Sequence, residues 1–151
     1  MSKILYIGAA DKMSYEEKGQ VVYLGVTTIA YAAYLILVLP QLGTTPPNQI
    51  DYQPILLATI LVAIVVSIIG RIVIEVIRPS EAQREDVRDR DIGRFGEYVA
   101  GLVLGIGMVV PFILVLIEAD YFWIANAMYL VFVLQAIVGA IIKLIAYRRG
   151  L

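Results

Sequence analysis

The chain contains neither cysteine nor histidine. Without cysteine it forms no disulfide, offers no thiolate nucleophile and holds no metal through sulfur. Without histidine it lacks the usual general base near neutral pH, the commonest zinc and copper ligand, and the bis-imidazole haem site of many membrane redox proteins. The formal net charge is only −1 over 151 residues, so no global field argues for direct contact with nucleic acid. Nothing in the composition calls for a cofactor or a metal.

What is present is mostly hydrocarbon. Sixty percent of the residues are hydrophobic (60%) and the mean hydropathy is +0.83, against about 45–50% apolar residues in soluble domains. Apolar stretches at about 21–40, 54–77, 96–117 and 123–147 each approach or exceed the ~20 residues that cross a ~30 Å hydrocarbon core. The pattern predicts an all-α polytopic membrane protein with four transmembrane helices. Residues 1–20 read as a cytoplasmic tail and 21–151 as the transmembrane domain, with a charged loop at 78–95. The apolar run from Ile4 to Ala10 is too short to span. Met13 followed by Ser14, Tyr15, Glu16, Glu17 and Lys18 reads as an alternative start, which would make 1–12 an added leader. Ser14 and Glu17 have capping-box spacing.

Positive charge orients the chain. All 12 Lys and Arg lie in the N-terminal tail, near the end of the second stretch, in the central loop or at the C-terminal end. The two other connections, 41–53 and 118–120, carry none and show only Asp51, Glu118 and Asp120. The excess of Lys and Arg on cytoplasmic loops then predicts both termini and the central loop in the cytoplasm. Short connections imply an up-down antiparallel bundle. Tyr121, Phe122 and Trp123 supply an interfacial aromatic belt on the far side.

Polar residues recur at helical spacing. Tyr23, Thr27, Tyr31 and Tyr34 share one face of the first span, as tyrosines filling a helix interface or as a hydroxyl-lined path. Ser67, Arg71, Glu75 and Arg78 share a face of the second. Arg71 either snorkels to the phosphate region or pairs with Glu75 one turn away. Gln135, Gly139, Lys143 and Tyr147 line the last half of the fourth. Together Tyr23, Thr27, Ser67, Arg71, Glu75, Glu97, Gln135 and Lys143 predict a polar cluster in the cytoplasmic half, drawn from four helices. Gly101 and Gly105 form a GxxxG pair in the third span, for packing inside the bundle or for a homodimer. Pro111 predicts a kink.

The densest charge lies in the central loop. Ser80 and Gln83 suit a helix start. Asp86 with Arg90, Glu81 with Arg84 and Glu85 with Arg88 can pair along the helix. Ile92-Gly93 and Phe95-Gly96 are expected to break it, leaving a short exposed helix and a flexible link to the third span. Glu85, Asp86, Arg88, Asp89, Arg90, Asp91 and Arg94 are the candidate partner-binding residues; the bland alternative is a solvated connector.

Asp86-Val87-Arg88-Asp89-Arg90-Asp91-Ile92, between the second and third of four spans, resembles the middle loop of small uncharacterised prokaryotic four-helix integral membrane proteins. That loop typically reads Asp-Glu-Arg-Asp-x-x-Ile; Val87 stands here in place of Glu. Residues 13–18 and the ending from Lys143 to Arg149 are similar to actinobacterial members. The resemblance implies the four-span architecture and, as some relatives accompany helix-turn-helix regulators, a cytoplasmic regulatory partner.

Three function classes remain. The leading one is a non-enzymatic scaffold or regulatory module that binds a cytoplasmic protein through the central loop, with the lipid bilayer and a second copy as its other partners. The alternative is a small oligomeric transporter using Arg71 and Glu75. The third is an enzyme acting on lipid headgroups, in which carboxylates such as Glu75, Asp86 and Asp89 would hold a divalent cation, against repulsion from Arg88 and Arg90.

Overall fold

The computed structural model describes residues 14–77 and 87–149. Arg78, Ser80, Glu81, Gln83, Arg84, Glu85 and Asp86 lie outside the described residues, and with them the expected pairings that involve these positions. The described residues are helical and contain no strand. They include four helices long and apolar enough to cross a membrane, at Tyr15–Gly43, Gln53–Ile77, Val87–Leu116 and Tyr121–Arg149.

Helix α1 (Tyr15–Val38) starts where the sequence places its cap. The Ser14 hydroxyl accepts a hydrogen bond from the Glu17 backbone N–H at 3.1 Å. Glu16 and Glu17 occupy the first turn, where the helix dipole favours negative charge. The helix thus begins about six residues before the apolar stretch that defines the span. It tightens into a 3₁₀ turn over Leu39–Gly43 at Pro40, which has no N–H to continue the ladder. A second 3₁₀ turn, Pro47–Gln49, folds the connection back so that Ile50 and Tyr52 are buried.

Helix α2 (Gln53–Ile77) has no buried residue at all. Such a helix, with a mean hydropathy of 2.7 in its most apolar window, suits a hydrocarbon solvent rather than water. Helix α3 (Val87–Gly107) and helix α4 (Val109–Leu116) make up the third long helix, interrupted at Met108. Pro111 cannot donate to the Gly107 carbonyl four residues back, so the ladder breaks there. Helix α5 (Tyr121–Arg149) is the most buried of the long helices.

The turn between α4 and α5 is closed at both sides. Ala119 N–H bonds the Leu114 carbonyl at 2.9 Å and Glu118 N–H bonds Val115 at 3.0 Å. This is a Schellman ending, with Glu118 in the left-handed conformation at φ 55°. Asp120 then caps α5, accepting from the Phe122 N–H at 2.8 Å.

Packing follows a row. Among the described residues, α2 packs chiefly on α1, α1 on α5, and α5 on α3 and α4. In this order α2 and α3 lie on the flanks of α1 and α5.

The best-packed core sits at the end holding the α1–α2 connection. Tyr34, Val38, Ile50, Tyr52, Phe122, Tyr129 and Val133 form it. Tyr34 is fully buried and donates to Asn126 Oδ1 at 2.7 Å, while Asn126 donates to the Phe122 carbonyl at 2.8 Å. Tyr129 meets Tyr31 and Tyr34 edge-on at 5.3 and 5.1 Å, and Tyr52 meets Phe122 edge-on at 5.1 Å. Burial, reinforced by the nearby Asp120 carboxylate, raises the Tyr52 phenol above its ordinary pKa.

Candidate functional site

The opposite end is charged. Ion pairs among the described residues tie helices together there, including Glu16 with Arg71 at 3.4 Å, Glu17 with Arg148 at 3.7 Å, and Glu97 with Lys143 at 3.6 Å. Arg88 adds a hydrogen bond to the Tyr147 carbonyl at 3.2 Å. The starts of α1 and α3 therefore meet the ends of α2 and α5.

Between them lies an open basin of about 340 Å³. Glu16 and Gln20 of α1, Arg71 of α2, Asp89, Arg90, Gly93, Arg94 and Glu97 of α3, and Lys143 and Tyr147 of α5 line it. Four cations thus face three carboxylates. The pairs are long and several of their side chains are well exposed, 66% for Arg71 and 77% for Glu97. Such pairs set position more than stability, at ~0–1 kcal/mol each.

The sequence-predicted cluster is spread over adjoining recesses. Arg71, Glu97 and Lys143 come together in the basin, joined by Asp89, Arg90 and Arg94 from the predicted partner-binding set. Tyr23 and Ser67 share a smaller recess with Arg71 and, with Thr27, line an apolar groove of about 530 Å³ over α1, between α2 and α5. Glu75 is exposed near the end of α2, and Gln135 is half-buried on α5. Arg71 turns to Glu16 of α1, so the partner read from helical spacing, Glu75, gives way to one from another helix.

Glu16, Glu17 and Arg148 were not singled out as site residues from the sequence. The signal lay in the Ser14 cap: it starts α1 early enough to bring two first-turn acids level with basic helix ends.

The expected break before the third span is absent. Residues 87–94 are the first turns of α3, continuous with the apolar part of the helix. Arg88, Arg90, Asp91 and Arg94 are exposed, and Ile92 is buried at 4%. Burial of Ile92 and close packing at Gly96 outweigh the ~1 kcal/mol that each helical glycine costs. A Cβ on Gly96 would collide with the stem of Lys143, and one on Gly139 would lie 3.0 Å from the Ala100 side chain. The close α3–α5 seam thus runs through Gly96, Ala100 and Gly139. Gly101 and Gly105 face open space within the chain, with nothing inside 4 Å of an added Cβ.

Among the described residues, no three potential metal ligands of the His, Cys, Asp and Glu type cluster. No protein family, curated protein or solved structure matches the chain.

Proposed function

We propose that the chain is a multi-pass plasma-membrane protein with four antiparallel spans and both termini cytoplasmic. In this reading it is a non-enzymatic module that docks a cytoplasmic protein on its charged end. The observation that carries the reading is the helical continuity of 87–94 with α3. It holds Arg90, Asp91 and Arg94 in fixed register above the membrane instead of on a slack loop. Fixed charge patterns favour partner choice and fast encounter. The packed aromatic core at the other end speaks against a continuous transport path. The resemblance to four-span proteins, some of which accompany helix-turn-helix regulators, makes a small regulator the partner class of choice. The open face at Gly101 and Gly105 supports self-association of the module in the bilayer.

The test is a charge exchange, Arg90→Asp combined with Asp91→Arg. It keeps net charge while inverting the local pattern. Membrane insertion and melting temperature should be unchanged, and co-purification of the regulator from native membranes should be lost. Undiminished recovery of every native partner would sink the docking role.

A further inference from the structure

The apolar groove and the charged basin are parts of one feature. A recess of about 240 Å³ shares Tyr23, Ser67 and Ile68 with the groove, and Glu16, Gln20 and Arg71 with the basin. The groove is walled mainly by hydrocarbon, and its hydroxyls at Tyr23, Thr27 and Ser67 lie toward the basin side. Along α2 the lining runs from Ile60 past Arg71 to Ile74, and its apolar end at Ile60 lies about 16 Å from Arg71 at ~1.5 Å per residue. That is close to one leaflet of a ~30 Å hydrocarbon core. The groove stops against Tyr129 and Val133 of the aromatic core, so it is a slot for one leaflet and not a channel.

A ligand matching this shape has a long apolar chain at one end and a negatively charged, oxygen-rich group at the other. We propose that the slot binds one phospholipid molecule with an anionic phosphodiester headgroup. An acyl chain lies over α1 between α2 and α5, and the phosphate sits in the basin against Arg71 and Arg94. Guanidinium forks match phosphate oxygens in geometry as well as charge. Among the described residues the basin holds four cations, Arg71, Arg90, Arg94 and Lys143, against three carboxylates, a lining that suits an anionic headgroup. The contact of Arg71 with Glu16 is long and solvated, so the guanidinium can turn to a phosphate at little cost. This inference rests on the four-span reading but not on protein docking.

The full chain, purified in a neutral detergent and stripped of lipid, is titrated in parallel with dioleoyl phosphatidylglycerol, dioleoyl phosphatidylcholine and glycerol 3-phosphate. Native mass spectrometry reads the adducts and thermal melting reads their effect. One phosphatidylglycerol per chain should be retained about tenfold more tightly than phosphatidylcholine, a difference set by charge alone. Glycerol 3-phosphate should not bind. Arg94→Gln, an exposed change outside the helix seams, should remove most of the preference for phosphatidylglycerol while leaving the lipid-free melting temperature unchanged. Ala63→Phe, which places a ring in the slot, should abolish the adduct; if that variant does not fold, Arg94→Gln decides alone. Equal retention of the two lipids would mean annular lipid and overturn the proposal. Tight binding of glycerol 3-phosphate would make the basin a free-anion site and overturn it too. A stripped dimer that Ala63→Phe dissociates would assign the groove to a second copy. Release of the wild-type chain from membranes by alkaline carbonate would instead overturn the four-span reading itself.

Discussion

Among the described residues, Glu118 is the one whose backbone conformation fits its side chain least well. It occupies the left-handed position of the α4 ending at φ 55°, where glycine is preferred because a Cβ crowds the following carbonyl. Glu118→Gly should therefore stabilise the protein by about 1 kcal/mol, read as a higher melting temperature in detergent with the helix content unchanged. A lower melting temperature would mean that the Glu118 side chain makes a compensating contact. Tyr34 makes the opposite case. Its hydroxyl is donated to Asn126 at 2.7 Å in a fully packed site, so Tyr34→Phe leaves an amide oxygen without that donor. In a lipid-embedded core the loss should be about 1 kcal/mol. At the charged end, Glu16 and Arg71 are at 3.4 Å with 29% and 66% of their side chains exposed. A double-mutant cycle with Glu16→Ala and Arg71→Ala should give a coupling below about 1 kcal/mol. A coupling several times larger would mean that the pair is shielded in the bilayer.

At the scale of elements, the distinction between packing glycines and open ones is testable. Gly139 sits where the α5 backbone meets α3, and an added Cβ would be 3.0 Å from Ala100. Gly139→Leu should force α3 and α5 apart and cost about 1–3 kcal/mol or more, the range of overpacked interiors. Gly105→Leu meets nothing within 4 Å and should leave the melting of a monomer in place. If the wild-type chain is a dimer in mild detergent, Gly105→Leu should separate it without unfolding. The sequence made the four long apolar helices readable, because each is a long run of hydrocarbon and the Ser14 cap and Pro111 act locally. It did not show which glycines pack. Gly101 and Gly105 carry the recognised spacing, yet the seam runs through Gly96, Ala100 and Gly139, since facing depends on how α5 lies against α3. The two glycines at 93 and 96 pointed to a break by propensity, and burial of Ile92 overrode it. Arg71 stood out in the sequence from its position in an apolar stretch. Its partner Glu16 is 55 positions away in sequence, so helical spacing could offer only Glu75.

For the whole molecule, the account joins two unlike ends. One is an aromatic core sealed by Tyr34, Tyr129, Phe122 and the folded-back Ile50 and Tyr52. The other is a basin held by ion pairs between helices, with an apolar slot leading to it. The proposed orientation, with the aromatic end outside and the charged end in the cytoplasm, rests on the missing Lys and Arg in the connections at 41–53 and 118–120. Docking of a cytoplasmic protein requires this orientation. Because the chain has no cysteine, a single introduced thiol reports its side without background. Gln49→Cys and Asp91→Cys both fall at exposed positions, at opposite ends of the helices. Intact cells are treated with a membrane-impermeant maleimide, and the labelling is compared before and after permeabilisation. The account predicts labelling of Gln49→Cys in intact cells and of Asp91→Cys only after permeabilisation; labelling of Asp91→Cys in intact cells would contradict it.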